Sequence, residues 1–222
     1  MNNGLQALSA KDFAALADTQ NALILDTRNN ADFAKAFIPQ SINIGLKGDF
    51  APWVGALIAD VAQPILLVTE IGQEEEAVTR LARVGFDNQL GYLEGGFQAW
   101  LDANETTDAV NRISAEQFIN EIENSKNKIL DIRKENEFNT NHIEDADNYP
   151  LAAINDWIKD INPSEHFYMH CAGGYRSMIA ASILQARGYR NFTEIAGGFG
   201  AISRVIEIGT HFQFNPIIPF LK

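Results

Sequence analysis

The sequence predicts an α/β protein of two similar domains, each a central, mostly parallel sheet with helices on both faces. Three features predict it: an internal repeat that covers nearly the whole chain, short apolar runs bounded by turn residues, and helical patterns between those runs.

The repeat sets the domain count. Leu8-Ser9-Ala10-Lys11-Asp12-Phe13 aligns with Ile113-Ser114-Ala115-Glu116-Gln117-Phe118, and the same spacing joins Ile24-Leu25-Asp26-Thr27-Arg28 to Ile129-Leu130-Asp131-Ile132-Arg133. It persists from Asp32-Phe33 to Glu137-Phe138 and from Ile38 and Asn43 to Ile143 and Asn148. It then shortens, so that Glu94-Gly95-Gly96-Phe97 meets Ala196-Gly197-Gly198-Phe199. Domains at 1–103 and 104–222 follow, with the polar stretch Asp102 to Asn111 as the linker.

Each copy opens with a helix. Ser9 or Ser114 caps its first turn, and Gln117 completes a capping box in the second copy. A short apolar strand comes next, ending in Asp26-Thr27-Arg28 or Asp131-Ile132-Arg133. Further strands are read at Ile65-Leu66-Leu67-Val68 and Phe167-Tyr168-Met169, each followed by a helical pattern, as a parallel sheet covered on both faces requires. The apolar tail Phe212 to Leu221 reads as a segment packed across the domains or covering a partner's surface.

Composition narrows the function. With 222 residues, 46% of them hydrophobic, the chain can bury a substantial core. A net charge of −12 makes it a poor general binder of nucleic acid or of acidic membrane surfaces. No run approaches the roughly 18 apolar residues of a membrane span, and Met1 to Ala10 lacks the layout of a signal peptide, so a cytoplasmic protein is expected. The single cysteine excludes an internal disulfide, and the four histidines form no zinc-binding cluster; neither metal nor cofactor is expected.

Cys171 is therefore either a buried small hydrophobe or a reactive thiol. Its surroundings favour the thiol. In Tyr168-Met169-His170-Cys171-Ala172-Gly173-Gly174-Tyr175-Arg176-Ser177 a strand delivers the cysteine into a glycine-containing turn, and a helix begins at about Arg176 and stops at Gly188. Such a turn brings inward-pointing backbone N–H groups, the positive end of a helix dipole and the Arg176 guanidinium near one sulfur. A free thiol titrates near pH ~8.5; this environment draws it toward the thiolate and would also hold a persulfide, Cys–S–S⁻.

In these motifs the chain resembles the rhodanese family. The second copy shows, in order, Asp131-Ile132-Arg133, His142-Ile143, the loop from Cys171 to Arg176 and Gly197-Gly198-Phe199. The resemblance implies a sulfurtransferase that moves a sulfane sulfur from thiosulfate or a low-molecular-weight persulfide, through a Cys171 persulfide, to a thiol or cyanide. It casts Cys171 and Arg176 as catalytic, with Ala172, Gly173, Gly174, Tyr175, Ser177 and Arg133 around the substrate. Arg133 is equally open to a structural ion pair, and His142 and His170 read as structural. Trp53, Trp100 and Trp157 read as packing residues. Asn43-Ile44-Gly45-Leu46 and Phe50-Ala51-Pro52-Trp53-Val54-Gly55 are similar to the rhodanese portion of fusions that begin with a metallo-β-lactamase-fold persulfide dioxygenase, so association with such a domain is a further expectation.

Two other function classes compete. Cysteine phosphatases also place cysteine and arginine on a strand–loop–helix, but the four residues between Cys171 and Arg176 make a shorter loop than the phosphatase pattern needs. A non-catalytic binding or sulfur-carrier module is the second alternative. The first copy departs at the decisive place. Glu70 stands where the nucleophile would be, and Glu74-Glu75-Glu76 follow, suiting a helix N-terminus and repelling an anionic donor. That domain reads as structural or regulatory.

Overall fold

A computed structural model of the chain describes residues 5–122 and 125–211, with side chains through residue 206. The apolar tail named above lies outside the described residues. The chain divides between Ala109 and Val110 into two compact units, inside the segment expected as a linker. Part of that segment packs into the first unit: the Trp100 indole donates to the Thr106 carbonyl at 2.9 Å, and Asp108 bridges Phe37 in antiparallel fashion.

The first unit runs β1 (Ala7–Leu8), α1 (Ala10–Gln20), β2 (Leu23–Asp26), α2 (Asn30–Lys35), β3 (Ile42–Asn43), α3 (Phe50–Leu57), β4 (Ile65–Val68), α4 (Glu74–Ala82), β5 (Gln89–Leu93) and α5 (Gly96–Asp102). The second repeats it: β6 (Arg112–Ile113), α6 (Ala115–Ile122), β7 (Lys128–Asp131), α7 (Glu135–Thr140), β8 (Ala146–Asn148), α8 (Ile154–Trp157), β9 (Phe167–His170), α9 (Tyr175–Ala186), β10 (Phe192–Ile195) and α10 (Gly198–His211). Each sheet has five strands, in the orders β1-β5-β4-β2-β3 and β6-β10-β9-β7-β8, and every strand pair is parallel. The α/β fold with helix-flanked parallel sheets is thus the one the repeat predicts.

Central strands are apolar on both faces because helices cover both. Ile65, Leu66, Leu67 and Val68 of β4 are fully buried, as are all residues of β9. Leu66 and Val68 pack with Phe13 of α1 and Trp100 of α5; in the second unit Tyr168 and Ile195 pack with Phe118 of α6 and Ile202 of α10. Each copy in fact opens on a short strand ahead of its helix, β1 or β6. Two residues are too few to register as a period in sequence, and pairing with β5 or β10 is what makes them strands.

The helix starts follow local chemistry. The Asp12 N–H donates to Ser9 Oγ at 3.2 Å. In the second unit Gln117 N–H donates to Ser114 Oγ at 3.2 Å while Ser114 N–H donates to Gln117 Oε1 at 2.9 Å, the reciprocal box the sequence predicts. Ser114→Ala removes one half of that box and is expected to destabilise the second unit by about 1 kcal/mol. The check is a urea titration that resolves the two units; an unchanged midpoint for the second would contradict it.

Candidate active site

At the carboxyl end of each sheet the chain builds the same scaffold, and only the second unit puts a thiol on it. β7 ends at Asp131, whose carboxylate, fully buried, receives Arg133 Nε at 2.9 and 3.0 Å and Arg133 Nη2 at 2.6 Å. Arg133 Nη2 also donates to the Asn141 carbonyl at 2.7 Å, and the guanidinium carbon sits 4.0 Å above the centre of the Phe199 ring. Asn148 Nδ2 donates to the carbonyls of Asp131 and Arg133, both at 2.9 Å, and holds the turn between them.

The first unit reproduces these contacts. Arg28 pairs with Asp26 at 2.6 Å, donates to the Ala36 carbonyl at 2.9 Å and lies 3.8 Å over Phe97, while Asn43 bonds the carbonyls of Asp26 and Arg28. A unit without the cysteine thus keeps the whole arrangement, and of the two roles open to Arg133 the ion pair is the one its geometry displays. With 5% of its surface exposed, Arg133 could meet a donor only by giving up these contacts.

Phe199 carries the scaffold to the loop. Its N–H donates to the Cys171 carbonyl at 2.7 Å, and Gly200 N–H donates to the Ala172 carbonyl at 3.0 Å. Gly198, at φ 56°, lies so close that a Cβ there would stand 2.9 Å from the Cys171 carbonyl carbon. Gly96 plays the same part against the Thr69 carbonyl oxygen, 3.1 Å from where its Cβ would be. Glycine is needed for positive φ and for close approach together.

Cys171 follows β9 and is 1% exposed. Gly174, at φ 96°, turns the chain into α9, and its N–H donates to Cys171 Sγ at 3.1 Å. No side chain caps α9, so the first turn keeps its positive dipole end toward the loop. Ala172 and Gly173 are exposed, Tyr175 and Arg176 are half-buried, and Ser177 is buried with its Oγ 3.5 Å from Sγ. Of the loop residues named from sequence, Gly174 and Ser177 reach the Cys171 sulfur, Arg176 is paired with Glu137, and Arg133 lies in the scaffold on Asp131.

Two carboxylates escape the sequence reading. Glu137 of α7 receives Arg176 through both oxygens, at 2.5 and 2.8 Å, so the loop arginine arrives already paired. Those hydrogen bonds hold the Glu137 carboxyl down at about 2, and they raise Arg176 in turn. Glu194 of β10, fully buried, accepts the Ser177 hydroxyl at 2.7 Å and Arg112 Nε at 2.7 Å. Burial raises its carboxyl above the ordinary range, against the opposing pull of Arg112. A charged residue between Phe192 and Ile195, inside a short strand, was the available signal.

His142 and His170 both bond main-chain carbonyls. His142 Nδ1 contacts the Phe138 carbonyl at 2.9 Å and its ring stacks on Phe138. His170 Nδ1 donates to the Cys171 carbonyl at 3.2 Å, and burial lowers its affinity for a proton. Trp100 and Trp157 are buried, and Trp53 is half-buried.

The rhodanese-like domain family matches residues 9–103 and again 114–204. The chain belongs to that family, as a tandem pair of its domains. It is 25% identical over 97 residues to the putative sulfur carrier protein YrkF of Bacillus subtilis, a match covering 43% of this chain and 52% of that protein. It is 29% identical over 98 residues to the thiosulfate sulfurtransferase GlpE of Shewanella oneidensis, covering 44% of this chain and 93% of that one. A thiosulfate sulfurtransferase structure from Pseudomonas aeruginosa superposes with a TM-score of 0.40 at 20% identity, over 90% of this chain and 42% of the other. The match therefore spans about half the length of YrkF and less of the Pseudomonas chain. Among the described residues no helix is long and apolar enough to cross a membrane.

In the first rhodanese unit the loop is differently occupied. Strand register corrects the expected position by one residue: Val68 lies beside Asp26 as His170 lies beside Asp131, so buried Thr69, and not Glu70, stands where Cys171 does, while the Gly72 N–H donates to Glu74 Oε1 at 3.1 Å. A carboxylate of the chain itself thus takes the loop N–H that an anionic ligand would need.

Two outcomes follow from this geometry. Gly198→Ala should push the loop off its position, destabilising the second unit by more than about 1 kcal/mol and slowing Cys171 chemistry by up to about 100-fold. Gly200→Ala, whose added Cβ would meet the Ala172 carbonyl oxygen at 3.4 Å, is the milder control, and equal effects from both would refute the clamp. A Thr69→Cys, Cys171→Ser double variant should take up no sulfur from thiosulfate by intact mass; loading at position 69 would mean that the first loop is a working cradle.

Proposed function

We propose that this chain is a sulfurtransferase in which Cys171 takes a sulfane sulfur from a small anionic donor and hands it to a thiol or to cyanide. The observation that carries this reading is the Cys171 sulfur at the N-terminus of α9, receiving the Gly174 N–H at 3.1 Å beside Ser177 Oγ. Both groups favour negative charge on sulfur, whether as thiolate or as the terminal atom of a persulfide.

The chemistry balances without a cofactor. The Cys171 thiolate attacks the outer sulfur of thiosulfate, a new S–S bond forms, and sulfite leaves with the electron pair of the bond that breaks. With a persulfide donor, the donor thiolate leaves instead. The acceptor then attacks the outer sulfur of the Cys171 persulfide and regenerates the thiolate. The exposed backbone of Ala172 and Gly173 is the side from which donor and acceptor approach. Arg176, although paired with Glu137, adds a nearby positive charge. The first unit acts as scaffold or regulator.

The relatives named for thiosulfate sulfurtransfer and for sulfur carriage support the class; glutathione persulfide joins thiosulfate as a donor because of the resemblance to dioxygenase fusions. On mixing with either donor, intact mass should rise by one sulfur in the wild type and not in Cys171→Ser. Cyanide should then return the loaded protein to its starting mass. No gain in the wild type, or an equal gain in Cys171→Ser, would sink the proposal, and loading that cyanide and thiols leave untouched would recast the chain as a carrier.

A further inference from the structure

Glu194 is a charged side chain with no exposed surface, in a strand all of whose residues are buried. Its two oxygens are differently engaged: Oε2 with Arg112 of β6 at 2.7 Å, and Oε1 with the Ser177 hydroxyl at 2.7 Å. Ser177 in turn lies 3.5 Å from Cys171 Sγ. One hydroxyl proton cannot serve both neighbours. When it points to Glu194, the Ser177 oxygen is left to accept from the Cys171 thiol; when the sulfur is a thiolate, the hydroxyl turns to donate to it, and Glu194 must supply the missing proton.

We infer that Cys171 and Glu194 share a single proton through Ser177, so that the nucleophile is made by internal transfer rather than by release to solvent. The thiol proton passes to Ser177 Oγ as the Ser177 proton passes to Glu194 Oε1. One S–H and one O–H bond break, two O–H bonds form, and a thiolate beside a neutral carboxylic acid results. No oxidant or other reactant is needed.

Charge explains why the proton stays. Ionising both groups would place two negative charges in a site from which water is excluded, and desolvation already favours the neutral acid at Glu194. Proton sharing keeps one negative charge in the couple and delivers it to the sulfur. The other charged groups facing the couple are fixed in pairs: Arg112 of β6 on Glu194 itself, Arg176 of α9 on Glu137 of α7, and Arg133 on Asp131 at the end of β7. His170 of β9 is held on the Cys171 carbonyl. The arginines are already protonated, and burial lowers the proton affinity of His170, so neither competes with Glu194 for the thiol proton.

The two units supply an internal comparison. Glu194 and Arg112 are register partners across β10 and β6; the equivalent register in the first unit pairs Tyr92 with Ala7. The buried carboxylate and its arginine therefore occur in the unit that has the cysteine and are missing from the unit that has Thr69 instead.

The inference deepens the sulfur-transfer reading and rests on it for the purpose of the thiolate. Because Glu194 acts through Ser177 it is a positioning residue, and the test reads protonation rather than turnover. Iodoacetamide alkylation of Cys171 is followed by mass from about pH 4 to about pH 10. In the wild type the rate should rise, hold level through the neutral range while one proton is shared, and rise again as the second proton leaves. Glu194→Gln, which cannot accept the proton, should show a single step, its rate falling about tenfold per pH unit through the range where the wild type is level. Ser177→Ala, which leaves the Glu194–Arg112 pair in place, should lower the level region by about fivefold.

A folded Glu194→Gln protein with the wild-type profile, or a wild type with one simple step, overturns the inference. Should Glu194→Gln fail to fold, the wild-type profile and Ser177→Ala decide. No sulfur donor is present in this assay, so a level region in a protein that takes up no sulfur would keep the proton couple and reject the sulfurtransferase instead.

Discussion

An arginine held almost free of water between a carboxylate, a carbonyl and an aromatic face ties the turn after β7 to the start of α10. The arrangement is expensive to assemble, since two charges are stripped of solvent, and leaving either partner unpaired typically costs about 3–5 kcal/mol. It persists because each donor has somewhere to go: Asp131 takes three hydrogen bonds from the Arg133 guanidinium, the Asn141 carbonyl another, and Phe199 covers the exposed face. Through Phe199 the constraint reaches the chemistry. The same residue that lies against Arg133 donates its N–H to the Cys171 carbonyl, and Gly198 before it touches that carbonyl's backbone. The sulfur is thus placed from behind, by main chain.

Because the first unit keeps this clamp, it separates what belongs to the fold from what belongs to the reaction. Asp26, Arg28, Phe97, Gly96 and Asn43 hold the loop after β4 as their counterparts hold the loop after β9. The difference begins past the clamp. There the loop carries Thr69 where the other carries Cys171, and Glu74 bonds the Gly72 N–H. The Asp-x-Arg motif therefore belongs to the fold that both units share, and the loop content is what separates them.

Sequence showed most of this framework because most of it is local. Caps, the glycine turn at Gly174 and the strand delivering Cys171 each depend on residues a few positions apart, and the repeat supplied a second reading of every motif. What it could not show depends on register. Glu137 meets Arg176 across α7 and α9, and Glu194 meets Arg112 across β10 and β6, and neither pairing has a fixed spacing in the chain. The role of Arg133 stayed open for a related reason: a motif names a residue type, whereas only contacts say whether its charge is spent inside the fold. The strands β1 and β6 were missed because two residues carry no periodicity of their own.

Charge pairing also explains how so acidic a chain can hold an anionic nucleophile. The arginines nearest the site, Arg112, Arg133 and Arg176, each sit on a carboxylate, so none presents an uncompensated full charge to the sulfur. Stabilisation then falls to dipoles: the Gly174 N–H, the uncapped first turn of α9 and the Ser177 hydroxyl. In the proposed reaction the two backbone dipoles need no reorganisation between thiolate and persulfide, and only the Ser177 hydroxyl has to turn. A full cation at the same distance would bind a dianionic donor more tightly but would also retain the dianionic sulfite that must leave. For the proposed sulfur transfer, a cradle of dipoles with paired arginines behind it would favour turnover over capture.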